Sequence, residues 1–306
     1  MADRQILMEN ILISGGSGLV GTAISHILKA KGYKVKWLSR NPSPNDLNIP
    51  EFYWDPDRGQ IDKTALEETD AIINLAGASI SKSWTPQYKS TILRSRVDAT
   101  RLLFNTVQKN KTPLKAFISA SAVGYYPTDP DKEFTEDDAP GNDFLSTVCQ
   151  KWEQEAQNFE ALNIRTVRMR IGIVLDKEQG ALPQIVKPIK LGAGAPLGNG
   201  QQWMPWIHIK DLARQFVFVI ENVEMQGAYN AVGTYSVKNN TLTKAAADVL
   251  HRPLIIPKVP SFALKLILGE MSEIVLTSNK CSNRKIAESG FNYEFTDLNE
   301  ALKDLL

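Results

Sequence analysis

The stretch Ile11-Leu12-Ile13-Ser14-Gly15-Gly16-Ser17-Gly18-Leu19-Val20-Gly21 restricts this chain more than any other. Its apolar run reads as a strand that ends in glycines, after which Val20, Ala23, Ile24, Ile27 and Leu28 follow a helical period. Gly32 stops the helix and Lys34-Val35-Lys36-Trp37-Leu38 restarts as a strand, which completes a βαβ unit. In the spacing Gly15-x-x-Gly18-x-x-Gly21 the first glycine lets the chain turn out of the strand. The second lets backbone N–H groups approach a pyrophosphate, and the third lets the helix pack on the sheet. Ser17, Leu19 and Val20 belong to the same loop and first turn, whose unpaired N–H groups and helix dipole favour an anion without a lysine. On the motif alone a glycine-rich turn before an ordinary helix is the alternative; the complete βαβ context argues for dinucleotide binding.

Charge narrows the partners. Thirty-five basic and 34 acidic residues leave a formal charge of +1, and no block of like charge occurs, so nothing favours nucleic acid or an anionic membrane. The polar opening Met1-Ala2-Asp3-Arg4-Gln5 and the lack of any run long enough to span a bilayer predict a cytoplasmic protein. Two cysteines, Cys149 and Cys281, and three histidines, His26, His208 and His251, argue against a disulfide framework or a metal site.

About twenty residues past the glycine loop, where NAD-selective sites carry an acid for the ribose 2'-hydroxyl, the chain has Ser39-Arg40. A guanidinium there suits a 2'-phosphate and Ser39 adds a hydroxyl, so NADP is predicted over NAD, the alternative being a solvated arginine. Phe52-Tyr53-Trp54 is a short strand ending at Asp55-Pro56, where Asp55 either bonds an adenine amine or forms a turn. Ala71-Ile72-Ile73-Asn74-Leu75-Ala76-Gly77 is a buried parallel strand whose last three residues leave room for the cofactor's ribose. An amphipathic helix follows through Ile92, Leu93, Val97, Leu103 and Val107, with Arg94, Arg96 and Arg101 read as mostly solvated. The strand from Lys115 to Tyr126 brings Ser119 and Ser121 to the nicotinamide side of the crevice.

By this point the chain resembles the extended short-chain dehydrogenase/reductases, and more narrowly the atypical epimerase-like family with a short C-terminal domain of unknown function. The resemblance runs through Gly15-x-x-Gly18-x-x-Gly21, Asn74-Leu75-Ala76-Gly77, Ser95-Arg96-Val97-x-x-Thr100, Ser119 to Tyr126 and Arg170-Ile171-Gly172-Ile173-Val174-Leu175. It continues through Pro196-Leu197-Gly198, Gln202-Trp203-Met204-x-Trp206-Ile207-His208-Ile209 and Phe262 to Met271. It implies a serine or threonine, a proton-transferring tyrosine and a lysine four residues later. Ser121 matches the first, but the helix from Phe144 to Glu153 has no tyrosine, and Thr147 with Lys151 is the nearest echo. A threonine hydroxyl is too weak an acid to replace a phenol. Cys149, Tyr125 and Tyr126 are the other groups near enough in sequence to supply a proton.

Arg165 to Arg170 alternates as a strand, and the glycines from Gly172 to Gly200 mark a loop-rich lid. Trp203 and Trp206 either line a substrate pocket there or form a local core. His208 reads as a brace for the helix that Asp211 caps, and Ala228 to Val232 returns a strand to the sheet. Helices over 242–250 and 262–268, another ended by Gly290, and a last one near Leu298 to Leu302 complete the chain.

The expected fold is a doubly wound, mainly parallel α/β Rossmann sheet over 1–171 with 206–232 returning to it, and a smaller C-terminal substrate region from 172–205 and 233–306. The expected function is an NADP-dependent oxidoreductase or epimerase acting on a carbonyl or sugar-like small molecule. The alternative is a non-catalytic NADP-binding sensor.

Overall fold

The computed structural model describes residues 8–306. In chain order the elements that position the site are β1 (Asn10–Ser14), α1 (Leu19–Ala30), β2 (Lys34–Ser39), β3 (Glu51–Asp55), β4 (Gln60–Ile61), β5 (Ala71–Asn74), α2 (Pro86–Asn110), β6 (Ala116–Ala122), β7 (Asp129–Phe134), α3 (Phe144–Gln157) and β8 (Arg165–Ile171). They continue as β9 (Ile173–Leu175), α4 (Leu182–Lys190), β10 (Trp203–Met204), β11 (Trp206–His208), α5 (Ile209–Glu221) and β12 (Gly227–Ala231). Among the described residues one eight-stranded sheet runs in the order β12-β8-β6-β5-β1-β2-β3-β4. Every pairing in it is parallel except β3 with β4, a short hairpin return that the sequence pattern did not reveal.

The chain runs from β1 outward to β2 and β3, then crosses back to β5, β6, β8 and β12, which makes β1/β5 the topological switch point. Strands buried on both faces explain the continuous apolar runs. Ile11 and Ile13 pack on one face with Ile24 and Leu28 of α1 and Phe216 and Ile220 of α5. Leu12 points the other way, to Leu103 and Val107 of α2 and Ala156 of α3. Each such fully buried side chain contributes about 1.5–3 kcal/mol.

Both helices flanking the crevice start on side-chain caps: Thr85 accepts from Tyr88 N at 3.1 Å for α2, and Asp143 accepts from Ser146 N at 2.8 Å for α3. The predicted strand over 115–126 ends at Ala122, and Val123–Tyr125 forms one 3-10 turn. A separate apolar cluster unites Leu182, Val186 and Ile189 of α4 with Trp206, Leu242, Ala246, Leu298 and Leu302. Ile286 and Phe291, late in the chain, join the core of the main sheet instead. Among the described residues no helix is long and apolar enough to cross a membrane, and no cluster of histidine, cysteine and acidic side chains could hold a metal ion.

Candidate cofactor and substrate crevice

The glycine loop joins β1 to α1 at the switch point. Gly15 has φ +71°, and a Cβ there would stand 3.2 Å from the Leu75 carbonyl, so the turn needs glycine. Gly21 is the packing position: a Cβ would lie 2.4 Å from Gly15 O and 2.6 Å from the Gly16 Cα. Gly16, unassigned by the motif, is equally constrained, because a Cβ would run into the Trp37 indole at 2.2 Å. That indole donates to Ser25 Oγ at 2.9 Å, which in turn donates to Gly21 O at 2.7 Å, so the bonds join β2 to α1.

Gly18 differs from these. It is exposed, has φ −79° as the N-cap of α1, and a Cβ would meet only Gly15 O at 3.3 Å. No side chain caps α1 and no acid occupies its first turn. The first-turn N–H groups over Ser17, Leu19 and Val20 therefore lack side-chain acceptors, which leaves a cradle of a shape and polarity that fit a pyrophosphate.

At the end of β2, Arg40 is exposed and forms no ion pair among the described residues, and Ser39 Oγ accepts from Asn41 N at 3.3 Å. Asp55 takes the turn-forming role: it accepts from Asp57 N at 3.1 Å and pairs with the exposed Arg58 through Nε at 3.3 Å.

Beyond β5 lies a polar chain. Ser14 Oγ donates to Asn74 Oδ1 at 2.6 Å, Asn74 Nδ2 to Thr100 Oγ1 at 2.9 Å, and Thr100 Oγ1 to Arg96 O at 2.8 Å. These bonds register β1, β5 and α2 under the crevice. Leu75 and Ala76 are half-buried and Gly77 is exposed. Gly77 lies directly under Arg96, since a Cβ there would stand 2.9 Å from the guanidinium carbon. Arg96 is thus half-buried against the crevice loop, not solvated as its place in an amphipathic helix suggested.

Ser119 and Ser121 are both buried, and neither hydroxyl is free: Ser119 Oγ donates to Ala120 O at 3.0 Å and Ser121 Oγ to Glu153 Oε1 at 2.7 Å. Glu153 also takes Arg170 Nε at 2.8 Å and Nη2 at 3.0 Å, while Arg170 Nη1 donates to Tyr126 Oη at 2.9 Å. Tyr126 Oη passes its proton's bond to Asn230 Oδ1 at 2.6 Å. Burial raises the Tyr126 phenol above its usual value, against the pull of Arg170, which makes it a weaker acid than a free tyrosine. Tyr125 keeps a half-buried ring with the Arg170 guanidinium 3.6 Å above its centroid.

On α3 the structure corrects the expected pair. Thr147 Oγ1 donates back to Asp143 O at 2.8 Å, and Lys151 is exposed in a groove with Val97, Arg101 and Gln154, on the side of α3 away from Ser121. The face turned toward the end of β6 carries Leu145, which packs against Gly124, and Cys149, whose sulfur takes the Ala122 N–H. Burial, helped by the Glu153 carboxylate, pushes the Cys149 thiol up to about 12 against the opposing pull of Arg96. Leu145 and Cys149 stand four residues apart on that face, where a tyrosine and lysine would be expected, and neither is an acid near neutral pH.

Trp206 is wholly buried in the C-terminal cluster, so its ring has no face to offer a ligand; this corrects its reading as a substrate residue. Trp203 is half-buried, donates Nε1 to Pro130 O at 2.9 Å, and has Lys238 and Lys280 within 5.1 and 5.5 Å of its ring. His208 caps α5 through Nδ1, which accepts from Lys210 N at 3.1 Å, with Nε2 3.2 Å from Asp304 and its ring stacked on Phe295. It is a brace, as its position suggested.

A parallel sheet with a glycine cradle at its switch point defines the class of Rossmann-like nucleotide-binding α/β proteins. Within that class, the chain belongs to the NAD dependent epimerase/dehydratase family, whose model matches residues 11–232, and a domain of unknown function, DUF1731, matches 259–305. It is 40% identical over 299 residues to the epimerase family protein YfhF of Bacillus subtilis, covering 97% of this chain and 98% of that one. Among solved structures it resembles the human epimerase family protein SDR39U1 (isoform 2) with NADPH, at TM-score 0.86 and 31% identity over 97% of this chain and 98% of that one. It also resembles a nucleoside-diphosphate sugar epimerase from Corynebacterium glutamicum, at TM-score 0.79 and 26% identity, over 98% of this chain and 58% of the other.

Proposed function

We propose that this protein is an NADP(H)-dependent oxidoreductase or epimerase-like enzyme acting on a small carbonyl or sugar-like substrate. The observation that carries the reading is the arrangement of two sites: an uncapped, acid-free α1 N-terminus at the β1/β5 switch point, and the unpaired Arg40 at the end of the neighbouring strand β2. A pyrophosphate fits the first and a 2'-phosphate the second, with no acid at Ser39 or Arg40 to select a free ribose hydroxyl. The NADPH in the human relative supports the same choice.

Bound across the switch point, the nicotinamide would supply hydride transfer at the ends of β5 and β6. This chain's own residues bind and orient it: the glycine cradle holds the phosphates, and the polar chain from Ser14 to Thr100 fixes the loop after β5. The groups expected to move a proton are absent or committed, since Ser121 is tied to Glu153, and Leu145 and Cys149 stand where a phenol and an ammonium would act. The same observation favours a second reading, an NADP-binding sensor without turnover.

NADPH oxidation and NADP reduction over a broad panel of carbonyl and sugar-like metabolites separate the two. Turnover on any member supports the enzyme, whereas tight cofactor binding with none throughout supports the sensor.

A further inference from the structure

Between the loop after β5 and the helix α3 lies a half-buried cation, Arg96, with no counter-charge among the described residues. Arg96 reaches from α2 over Gly77, lies 5.1 Å from the Trp152 ring, and donates through Nη1 to Ala78 O at 3.1 Å and Ile92 O at 2.9 Å. Its Nε and Nη2 donate to no atom among the described residues, and no carboxylate there lies within ion-pair distance. The groups that face it are the Cys149 thiol of α3, whose pKa burial raises, and the Tyr88 phenol from its own helix, and burial lowers the guanidinium's pKa from its ordinary value. The indole beside it carries another buried donor with no partner, Trp152 Nε1.

The contrast with Arg170 is informative. That arginine, more deeply buried than the half-buried Arg96, is matched by Glu153 at 2.8 and 3.0 Å. Even partial burial of a charge without a partner is costly, and the two free nitrogens of Arg96 stay accessible from the crevice, where an anion from outside would supply the missing counter-charge.

The location identifies which anion. Arg96 touches residues 77 and 78 beyond β5 and shares its surroundings with Cys149, which touches Ala122 at the end of β6. This is the side of the switch point opposite β2 and Arg40, away from the adenine end of the cofactor, and a strand removed from the β1–α1 cradle. We infer that Arg96 is the substrate-anchoring residue of the crevice, holding a carboxylate or phosphate of the substrate through its free Nε and Nη2 beside the nicotinamide. The substrate is then an anionic carbonyl or sugar-like compound. A guanidinium fork suits such an oxyanion, and its attachment to the loop through Nη1 pre-organises it. This inference rests on the cofactor reading above.

The test uses malonate and inorganic phosphate as probes, titrated into the NADPH-loaded full-length protein and followed by nicotinamide fluorescence, with sodium chloride at matched ionic strength as control. The expected result is saturable binding of at least one probe, weakened more than 10-fold in Arg96→Gln and only a few-fold in Arg96→Lys, with NADPH affinity unchanged in both. Malonate should raise the melting temperature of the cofactor-free wild type by more than it raises that of Arg96→Gln. That arm reads Arg96 even if NADPH does not bind, so failure of the cofactor reading is distinguishable from failure here. A 10-fold loss of NADPH affinity in Arg96→Gln would assign the guanidinium to the cofactor's own phosphates and overturn the inference. Equal responses of wild type and variant to both probes, or no saturable response at all, would overturn it as well.

Discussion

Ser121 Oγ lies 2.7 Å from Glu153 Oε1, the carboxylate that also neutralises the buried guanidinium of Arg170. The serine that would face a substrate in a catalytic relative is here one arm of a buried ion pair joining β6, α3 and β8.

Removing the two partners of that bond should have unequal effects. Ser121→Ala leaves Glu153 paired with Arg170 and is expected to cost about 1.5–3 kcal/mol, the range for a hydrogen bond to a charged group. Glu153→Gln strips a buried arginine of its counter-charge and is expected to cost about 3–5 kcal/mol. Denaturant unfolding of both variants checks the order, and NADPH affinity should survive in Ser121→Ala.

The glycine loop separates folding from binding within a few residues. Gly21→Val places atoms within 2.4 Å of the Gly15 carbonyl and is expected to leave little folded protein. Gly18→Val, at an exposed N-cap with ordinary φ, should fold with an intact circular dichroism spectrum yet lose NADPH binding. A folded Gly18→Val that binds NADPH as wild type would mean that the loop is only a turn.

Asp70 provides a pH signature. Burial alone would raise its carboxyl, but Lys115 and the N–H groups of Glu9 and Asn10 outweigh this and hold it down at about 2. Its folded pKa lies below its unfolded value of about 3.9, so the stability it contributes is complete above that value and is lost as pH falls toward 2. Asp70→Asn should therefore melt below wild type at pH 7, with the gap closing between about pH 4 and pH 2. A gap that stays constant across that range would contradict the assignment.

Local signals were readable where short-range chemistry dictates structure. The strand, the turn at Gly15 and the packing contact at Gly21 follow from one contiguous stretch, and the Asp55-Pro56 turn and the His208 brace are similarly local. Long-range choices were not. Which face α3 turns inward depends on how Val148, Cys149, Trp152 and Glu153 pack, and that choice puts Thr147 and Lys151 outside and Leu145 and Cys149 at the crevice. Arg96 resembles its solvated neighbours Arg94 and Arg101 in sequence; only the approach of Gly77 from another element marks it out. The one available signal was its place in Ser95-Arg96-Val97-x-x-Thr100, whose Thr100 continues the polar chain beneath the loop.

The central claim, an NADP(H) site with the 2'-phosphate at Arg40, is tested most directly by calorimetric titration of wild type and Arg40→Ala with NADPH and NADH. A charge-assisted hydrogen bond of about 1.5–3 kcal/mol corresponds to a preference for NADPH of about 10- to 150-fold in wild type, falling to near unity in Arg40→Ala while NADH affinity stays the same. Equal affinities for the two cofactors in wild type, or a preference untouched by the substitution, would contradict it.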